Sequence, residues 1–292
     1  MWKSVSQLLA DQFGAYYNIK TREAVHRGEI HEAWYLDDGI QPVFIKVNDK
    51  NIRSQFRAEA DQLTLLAKTH TIPVPQAYGV GLSQSHSFLA LQGLPFSAIS
   101  TTDSNLWQQF GYQLAQLHLT NQTDQFGFSF DTWLGPIYQP NRWQQDWASF
   151  FAEQRIGWQL QLCKEKALIF GDIEQIIDCI YHKLAKHQPK PSLLHGNLWI
   201  ENIAQAQDKI FAFDPACYYG DHEIDLAFSQ LFEPFPPTFY QAYQQHYPLS
   251  AGFEQRKRIY WFYYLINLSY RFGHSQKLYT QLTQKILNEI LI

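Results

Sequence analysis

Hydrophobic positions follow two different periods along the chain, and the period changes after the first third. Apolar residues alternate or cluster over residues 30–36 and 43–47, and the Asp-Asp-Gly of residues 37–39 between them suits a tight turn. This pattern predicts a β-hairpin. Two further short apolar runs, at 77–80 and 87–91, predict two more strands.

Apolar residues recur at helical spacing in two segments of the first third and in most of the chain after it. Helices are predicted over residues 3–13, 52–69, 143–165 and 173–187, around the stripe Leu106, Phe110, Leu114 and Leu117, and mainly from 223 onward. A short strand at 209–213 interrupts them and ends on Asp214. A β-rich first third joined near residues 92–98 to a helical remainder predicts an α+β fold with two lobes, and clefts between such lobes commonly bind ligands.

Composition narrows the class of protein. Hydrophobic residues make up 46% of the 292, and the formal net charge is -4, so the chain lacks the basic excess typical of proteins that bind nucleic acid or anionic membranes. No apolar stretch approaches the ~20 residues that span a bilayer. The three cysteines have no Cys-x-x-Cys spacing. We therefore expect a cytoplasmic protein acting on a small molecule, and the oligomeric state stays open.

The most specific chemical signal is a polar loop, residues 195–202, followed by a short hairpin that ends on Asp214. In phosphotransfer centres a loop of this kind carries an aspartate that acts as the general base. An asparagine five residues later binds Mg²⁺, and an aspartate at the end of a strand binds it too. Asn202 and Asp214 supply the amide and carboxylate oxygens that Mg²⁺ prefers. Asn197 stands at the position of the base and is an amide.

Lys46 lies in an otherwise apolar strand, where a buried ammonium would need an anion. Glu59 on the next predicted helix and nucleotide phosphates are the candidates. The alternative is that Lys46 lies on the solvent face of the hairpin with its head in water. Gly28, in the loop 27–30 before the hairpin, could let backbone N–H groups approach phosphates, or could be a plain turn glycine.

Three carboxylates cluster near the start of a predicted helix, at Asp221, Glu223 and Asp225. Asp221 and Glu223 are as consistent with helix capping and the helix dipole as with a functional role. Asp225 precedes an apolar pair, so we predict that it turns inward and ties loop backbones together. We interpret His195 as a hydrogen-bonded histidine that holds its loop.

Six segments together resemble the fructosamine kinase family (fructosamine/ketosamine-3-kinases), close to its bacterial members, within the aminoglycoside-phosphotransferase-like superfamily. The resemblance covers nearly the whole chain. Its carriers are FIKV at 44–47, FRAEA at 56–60, LAQLH at 114–118, FFAEQR at 150–155, LHGNLWIEN at 194–202 and FDPACYYGD at 213–221.

The resemblance implies a bilobal protein-kinase-like fold, with a nucleotide-binding lobe over residues 1–93 and a substrate- and metal-binding lobe over 94–292. It implies ATP and Mg²⁺ as cofactors and phosphorylation of a sugar hydroxyl on ketoamine (glycated amine) adducts, a role in protein deglycation. The implied site residues are Lys46 and Gly28 at the phosphates, Glu59 paired with Lys46, Asn202 and Asp214 at the metal, Gln92 and Leu94 in the hinge beside the adenine, and Trp199 at the sugar or packed beneath its loop.

Two positions depart from the family pattern. The family loop reads His-Gly-Asp-Leu-Trp, whereas this chain has Asn197 in place of the aspartate, and Arg27 stands where a glycine is common. General-base catalysis contributes ~10²–10⁴-fold, while positioning and electrostatics supply most of phosphoryl transfer. The sequence thus leaves three hypotheses: a ketoamine kinase of reduced activity, a non-catalytic ATP-binding pseudokinase, or a kinase for another small hydroxyl substrate such as an aminoglycoside or a choline-like amine.

Overall fold

The computed structural model describes residues 1–25, 31–120 and 123–292. Its first part is a five-stranded antiparallel sheet in the order β1-β2-β3-β5-β4, flanked by two helices. The elements are α1 (Trp2–Phe13), β1 (Thr21–Val25), β2 (Glu32–Asp37), β3 (Val43–Asp49), a 3-10 turn (Lys50–Ile52), α2 (Arg53–Lys68), β4 (Ala77–Leu82) and β5 (His86–Gln92).

The predicted hairpin is confirmed as β2 and β3, with Trp34 opposite Ile45. Its turn is closed by side chains, because Asp37 accepts the N–H of Gly39 at 2.6 Å and Asp38 accepts the N–H of Gln41 at 2.7 Å. Strand β1 was not predicted. Its side chains are mostly exposed and carry no apolar alternation, so its pairing with β2 rests on backbone hydrogen bonds rather than on burial.

One core of the first part lies between α1 and the sheet. Val5 and Leu9 of α1 are buried with Leu36, Ile45 and Phe88 from three strands. The helix α2 packs against β4 and β5. Its buried residues include Phe56, Ala60 and Leu63, together with Glu59.

The remainder of the chain is mainly helical, as predicted, and the α+β class is confirmed. Its elements are α3 (Ser104–Leu119), β6 (Thr132–Leu134), β7 (Ile137–Gln139), α4 (Trp147–Phe151), a π-helical turn (Ala152–Gly157), α5 (Trp158–Glu165), α6 (Ile173–Leu184), β8 (Ser192–Leu193), a 3-10 turn (Ile200–Asn202), β9 (Ile203–Ala206), β10 (Lys209–Ala212), β11 (Tyr219–Gly220), α7 (Glu223–Phe228), α8 (Pro237–His246), α9 (Phe253–Phe272) and α10 (Lys277–Leu291). Within the described residues no helix combines the length and apolarity that a bilayer span requires.

Two predicted helix limits were wrong. The helix expected from residue 143 begins at Trp147, because the side chain of Asp146 accepts the N–H of Ser149 at 2.7 Å and caps it there. Trp143 precedes that cap and is 41% exposed. The helix expected to reach residue 187 ends at Leu184.

The chain forms two compact units, one of residues 1–106 with 201–215 and one of residues 107–200 with 216–292. The segment 201–215 joins the first unit through its own packing: Ser97 bridges to Gln205, and Leu94 is buried with Ala206 and Phe211. The functional division into lobes at residue 93 stays a prediction.

Candidate active site

In the first unit, the ammonium of Lys46 lies between two carboxylates. Lys46 is on β3 and only 8% exposed. Its Nζ is 2.6 Å from Oε1 of Glu59 on α2 and also contacts Oδ1 of Asp214. The predicted contact with Glu59 is therefore confirmed, and the alternative that placed the Lys46 head in water was wrong.

The charges of this group stabilise the ionised lysine. Burial alone would lower the pKa of Lys46, but the negative charges of Asp214 and Glu59 outweigh it and raise that pKa above its ordinary value. Burial raises the pKa of Glu59, against the opposing effect of the Lys46 ammonium. His31 lies beside the group, and burial together with the nearby Lys46 charge lowers its pKa to about 4. At neutral pH His31 is therefore uncharged, with its Nδ1 2.8 Å from Nδ2 of Asn48.

The hairpin of β9 and β10 positions Asn202 and Asp214 at its open end. Ile203 pairs with Ala212, and one step further the N–H of Phe213 donates to the carbonyl of Asn202 at 3.0 Å. Asp214 follows directly and adopts a left-handed backbone, with φ of 54°. Such a conformation is uncommon for a residue other than glycine and is found at functional turns.

The donor set of this hairpin end fits a magnesium ion. Asn202 is buried, whereas the Asp214 side chain is 44% exposed and thus accessible to a ligand. Mg²⁺ is usually held by one or two protein oxygens and completes its shell with phosphate oxygens and water. An amide oxygen and a carboxylate on the same hairpin, beside a lysine, match that chemistry.

Gln92 and Leu94, the two residues predicted for the hinge, differ in their surroundings. Gln92 ends β5, and its N–H donates to the carbonyl of Gln76 at 2.8 Å. Leu94 is 4% exposed and packs with Ala206 and Phe211, so its side chain belongs to a core cluster. The other predicted nucleotide contact, Gly28, lies outside the described residues, as does Arg27.

In the second unit, the loop that begins at His195 is fixed through its backbone. Asp225 accepts the N–H of His195 and of Gly196, each at 2.8 Å, as the sequence predicted for this carboxylate. The carbonyl of His195 accepts the N–H of Ala216 at 2.9 Å, and the Nδ1 of His195 accepts the N–H of Asn197 at 3.3 Å. His195 thus holds its loop, in agreement with the interpretation from sequence.

Gly196 is required by the tightness of this loop. Its φ is 77°, and a Cβ at this position would lie 2.0 Å from the carbonyl oxygen of Ala216. The hydroxyl of Tyr264 on α9 donates to the Gly196 carbonyl at 2.7 Å. The sequence contained no signal for Tyr264, because it lies in a long aromatic run whose members are alike in pattern.

Trp199 packs against α7 and the segment after it. Its ring lies 5.9 Å from the ring of Phe228 in a stacked arrangement and 6.2 Å from that of Phe232. Trp199 remains partly exposed. The packing interpretation is therefore correct for one side of the ring, and the contact with a sugar stays a prediction.

Asp221 and Glu223 belong to a buried polar cluster. Asp221 accepts hydrogen bonds from the Tyr260 hydroxyl at 2.5 Å and from the N–H of Glu223 at 3.1 Å, and it lies 2.7 Å from Nε2 of His187. Burial raises the pKa of Asp221, but the contact with His187, the nearby His222 and the Tyr260 hydroxyl outweigh it and lower that pKa to about 2. Arg256 binds both carboxylate oxygens of Glu223 at 2.7 Å. The N-cap of α7 is His222, so Asp221 precedes the cap and accepts the N–H of the first helical residue, and Glu223 forms a buried ion pair.

His187, Asp221 and Glu223 could together offer three ligand atoms to a metal. Two observations argue for a structural cluster instead. The guanidinium of Arg256 already neutralises Glu223, and Tyr260 already donates to Asp221. These partners lie far apart in the sequence, so no local pattern could have predicted that they pair.

Comparisons with known proteins identify the family of this chain. The fructosamine kinase family model matches residues 1–292. A Pasteurella multocida relative designated a probable ketoamine kinase is 60% identical over 291 residues, which cover 100% of this chain and 99% of the relative. The crystal structure of a Haemophilus somnus protein assigned to the fructosamine-3-kinases is 56% identical, with a TM-score of 0.96, and the match covers 100% of this chain and 98% of the other.

A more distant structure shares the fold alone. A thermostable mutant of an aminoglycoside phosphotransferase is 16% identical, with a TM-score of 0.62 over 98% of both chains. The bilobal protein-kinase-like fold predicted from the sequence is thereby confirmed. The chain is a kinase-like phosphotransferase and belongs to the fructosamine kinase family.

Proposed function

We propose that this protein transfers the γ-phosphoryl group of ATP to a sugar hydroxyl of a small ketoamine, the adduct of a sugar with an amine. Membership of the fructosamine kinase family supports the reaction class. The observation that carries the proposal is the buried Lys46 ammonium held between Glu59 and Asp214. A lysine paired with a helix carboxylate and next to an aspartate suited to metal binding is the arrangement that protein kinases use for phosphoryl transfer.

In this proposal, Lys46 binds phosphate oxygens and Glu59 keeps its ammonium in place. Asn202 and Asp214 hold Mg²⁺, which when bound neutralises the negative charge of the phosphates. Asp214 contacts Lys46 directly, so its carboxylate can orient toward either cation. His31 is uncharged at neutral pH and therefore adds no second positive charge beside Lys46.

The remaining assignments follow the family resemblance. Gln92 and Leu94 lie in the segment proposed for adenine binding, where backbone groups rather than the buried Leu94 side chain would supply hydrogen bonds. Gly28 is proposed at the phosphates. The partly exposed Trp199 is proposed to contact the sugar, since an aromatic face suits the apolar C–H surface of a sugar ring.

Asn197 sets the expected rate. An amide oxygen can accept a hydrogen bond from the acceptor hydroxyl and help orient it, but an amide cannot take the proton. General-base catalysis accounts for ~10²–10⁴-fold of rate, so we propose an activity reduced by about that factor. The same residue favours a second candidate, a pseudokinase that binds ATP without transferring phosphate.

Phosphate transfer from ATP to ketoamines, measured with the native chain and Asn197→Asp, tests the proposal. We expect slow transfer by the native chain and a rate higher by roughly 10²-fold or more in the variant. Asn288→Asp, on the exposed surface of α10, adds the same charge elsewhere and serves as the control. If the native chain and Asn197→Asp are both inert while ATP still binds, the pseudokinase candidate replaces the kinase. A preference for aminoglycosides or choline-like amines as acceptors would replace the ketoamine.

A further inference from the structure

A row of aromatic rings leads away from Trp199 along the second unit. Neighbouring ring centroids lie 6.2 Å apart for Trp199 and Phe232, 6.5 Å for Phe232 and Tyr279, and 5.7 Å for Tyr279 and Phe272. The row therefore connects the loop of residues 195–199 with the end of α9 and the start of α10. We call these four residues the aromatic strip.

Buried rings support one end of the strip, at Trp199, whereas Phe232 is exposed to solvent. Trp199 stacks on Phe228, which is 5% exposed and stacks in turn on Tyr264. Tyr264 donates its hydroxyl to the carbonyl of Gly196, so the first ring of the strip and the loop share one support. Phe232, by contrast, is 44% exposed. Aromatic rings that are fixed on one side and exposed on the other are typical of binding surfaces.

The chemistry of a ketoamine matches this layout in two parts. Its sugar part carries the hydroxyl to be phosphorylated, and its nitrogen carries a substituent that differs from one amine to another. A sugar held beside Trp199 leaves that substituent to extend along neighbouring surface. Phe232 is exposed and Tyr279 is partly exposed there. Aromatic rings attract both hydrocarbon groups and the adjacent ammonium of the ketoamine.

The positive charge of Arg271, at the Phe272 end of the strip, further restricts which nitrogen substituents suit it. The guanidinium of Arg271 lies 4.6 Å from the ring centroid of Phe272, so that ring is already covered by a cation. A second positive charge on the substituent would be repelled there. Hydrocarbon substituents suit the strip better than polyamine chains.

We propose that the aromatic strip is the subsite for the nitrogen substituent and selects ketoamines of apolar amines, an inference that rests on the proposed ketoamine kinase function. Phe232 and Tyr279 are the specificity-determining residues. They determine the affinity for the substituent, whereas the sugar is bound beside Trp199 in the loop of residues 195–199.

The test measures binding, by titration calorimetry on the full chain, of two fructose-derived ketoamines that carry an N-benzyl or an N-methyl group. We expect the native chain to bind the N-benzyl compound about tenfold more tightly, because the ring buries additional apolar surface. Phe232→Ala and Tyr279→Ala should each reduce that preference to about threefold or less, with little change for the N-methyl compound. Tyr279→Phe should retain the preference.

Tyr181→Ala, at a partly exposed tyrosine of α6, removes an aromatic ring outside the strip and should leave both affinities unchanged. Equal binding of the two compounds by the native chain, or an undiminished preference in both alanine variants, overturns the inference. Phosphate transfer to the N-methyl compound is measured separately. Its absence counts against the proposed function, whereas the preference in binding reports on the strip alone.

Discussion

Asp225 and Gly196 are joined by a hydrogen bond that spans 29 residues, in which the carboxylate Oδ1 accepts the Gly196 N–H at 2.8 Å. The second oxygen, Oδ2, accepts the N–H of His195 and lies 3.1 Å from Nε2 of His118. Both oxygens are fully buried and both are used. The backbone of the loop that carries Asn197 therefore depends on one carboxylate from α7.

Removing that carboxylate should destabilise the protein substantially. Asp225→Ala leaves two buried N–H groups and His118 without their acceptor, and we expect a loss of about 3–5 kcal/mol in the free energy of unfolding, measured by urea titration. Asp225→Asn keeps one acceptor oxygen and should lose less. Asp172→Ala, which removes an exposed helix cap, should cost only about 1 kcal/mol. A similar small loss for Asp225→Ala would contradict this role.

Gly196 should not tolerate a side chain. In Gly196→Ala the new Cβ would overlap the Ala216 carbonyl oxygen, 2.0 Å away, and backbone cannot yield as a side chain can. We expect a loss of roughly 3 kcal/mol or more in the free energy of unfolding. Gly14→Ala is the matched control, since Gly14 also has a positive φ, of 65°, but its Cβ would meet nothing within 4 Å. It should lose only the roughly 1–2 kcal/mol of a left-handed backbone, and equal losses would remove the steric argument.

Glu59→Gln tests whether the buried ion pair positions Lys46. The amide keeps the shape of the side chain but loses the charge-assisted hydrogen bond, leaving Asp214 as the charged partner of Lys46. A charged hydrogen bond contributes about 1.5–3 kcal/mol, so the Kd for ATP should rise roughly 10- to 100-fold in a fluorescence titration. Asp61→Asn, on the exposed side of the same helix, should leave the Kd unchanged. An unaltered Kd in Glu59→Gln would show that Asp214 alone suffices.

Local patterns were sufficient for the predictions that depended on neighbouring residues. The β2–β3 turn follows from Asp37, Asp38 and Gly39, whose side chains and backbone close it within the segment. Lys46 next to Glu59 was one of two alternatives that the apolar strand and the following helix left open, and the resemblance to the fructosamine kinase family decided between them. The hairpin that carries Asn202 and Asp214 is equally local.

The features that the sequence did not reveal all depend on distant segments. Strand β1 is held by backbone pairing and has exposed side chains, so it leaves no burial pattern. Tyr264 and Arg256 bind Gly196 and Glu223 from α9, and their identities alone do not distinguish them from other core residues of that helix. The contact of Lys46 with Asp214 joins residues 168 positions apart, a separation over which no local pattern acts.

Asp214 should determine the magnesium dependence of nucleotide binding. Asp214→Asn retains an oxygen donor but removes the negative charge that a hard divalent cation favours. We expect Mg²⁺ to tighten ATP binding by the native chain and to have little effect on the variant, measured as the Kd for ATP at several Mg²⁺ concentrations. Glu201→Gln, an exposed carboxylate beside Asn202, should behave like the native chain. Unchanged magnesium dependence in Asp214→Asn would exclude this residue from the metal site.

His222 should make the stability of the second unit depend on pH in the mildly acidic range. Burial lowers its pKa from 6.5 to about 4, although Asp221 opposes the shift, and the ring stacks on Tyr247 at 4.1 Å. Between pH 6.5 and 4 the unfolded chain therefore takes up a proton that the folded chain does not, so stability falls as the pH falls.

His222→Phe keeps a stacking ring and removes the titrating group. The free energy of unfolding, measured by urea titration at pH 7, 6 and 5, should decline less steeply in the variant, by up to about 1.4 kcal/mol per pH unit below pH 6.5. The charged groups that act on the pKa of His222, which are Asp221, His118, His187 and Arg256, all remain in the variant, and the loss of His222 removes its own lowering effect on the pKa of Asp221. His182→Phe, at an exposed histidine of α6, should retain the native pH dependence. If His222→Phe retains it too, the folded protein takes up the proton at His222 as readily as the unfolded chain, and the ring is not held neutral by its burial.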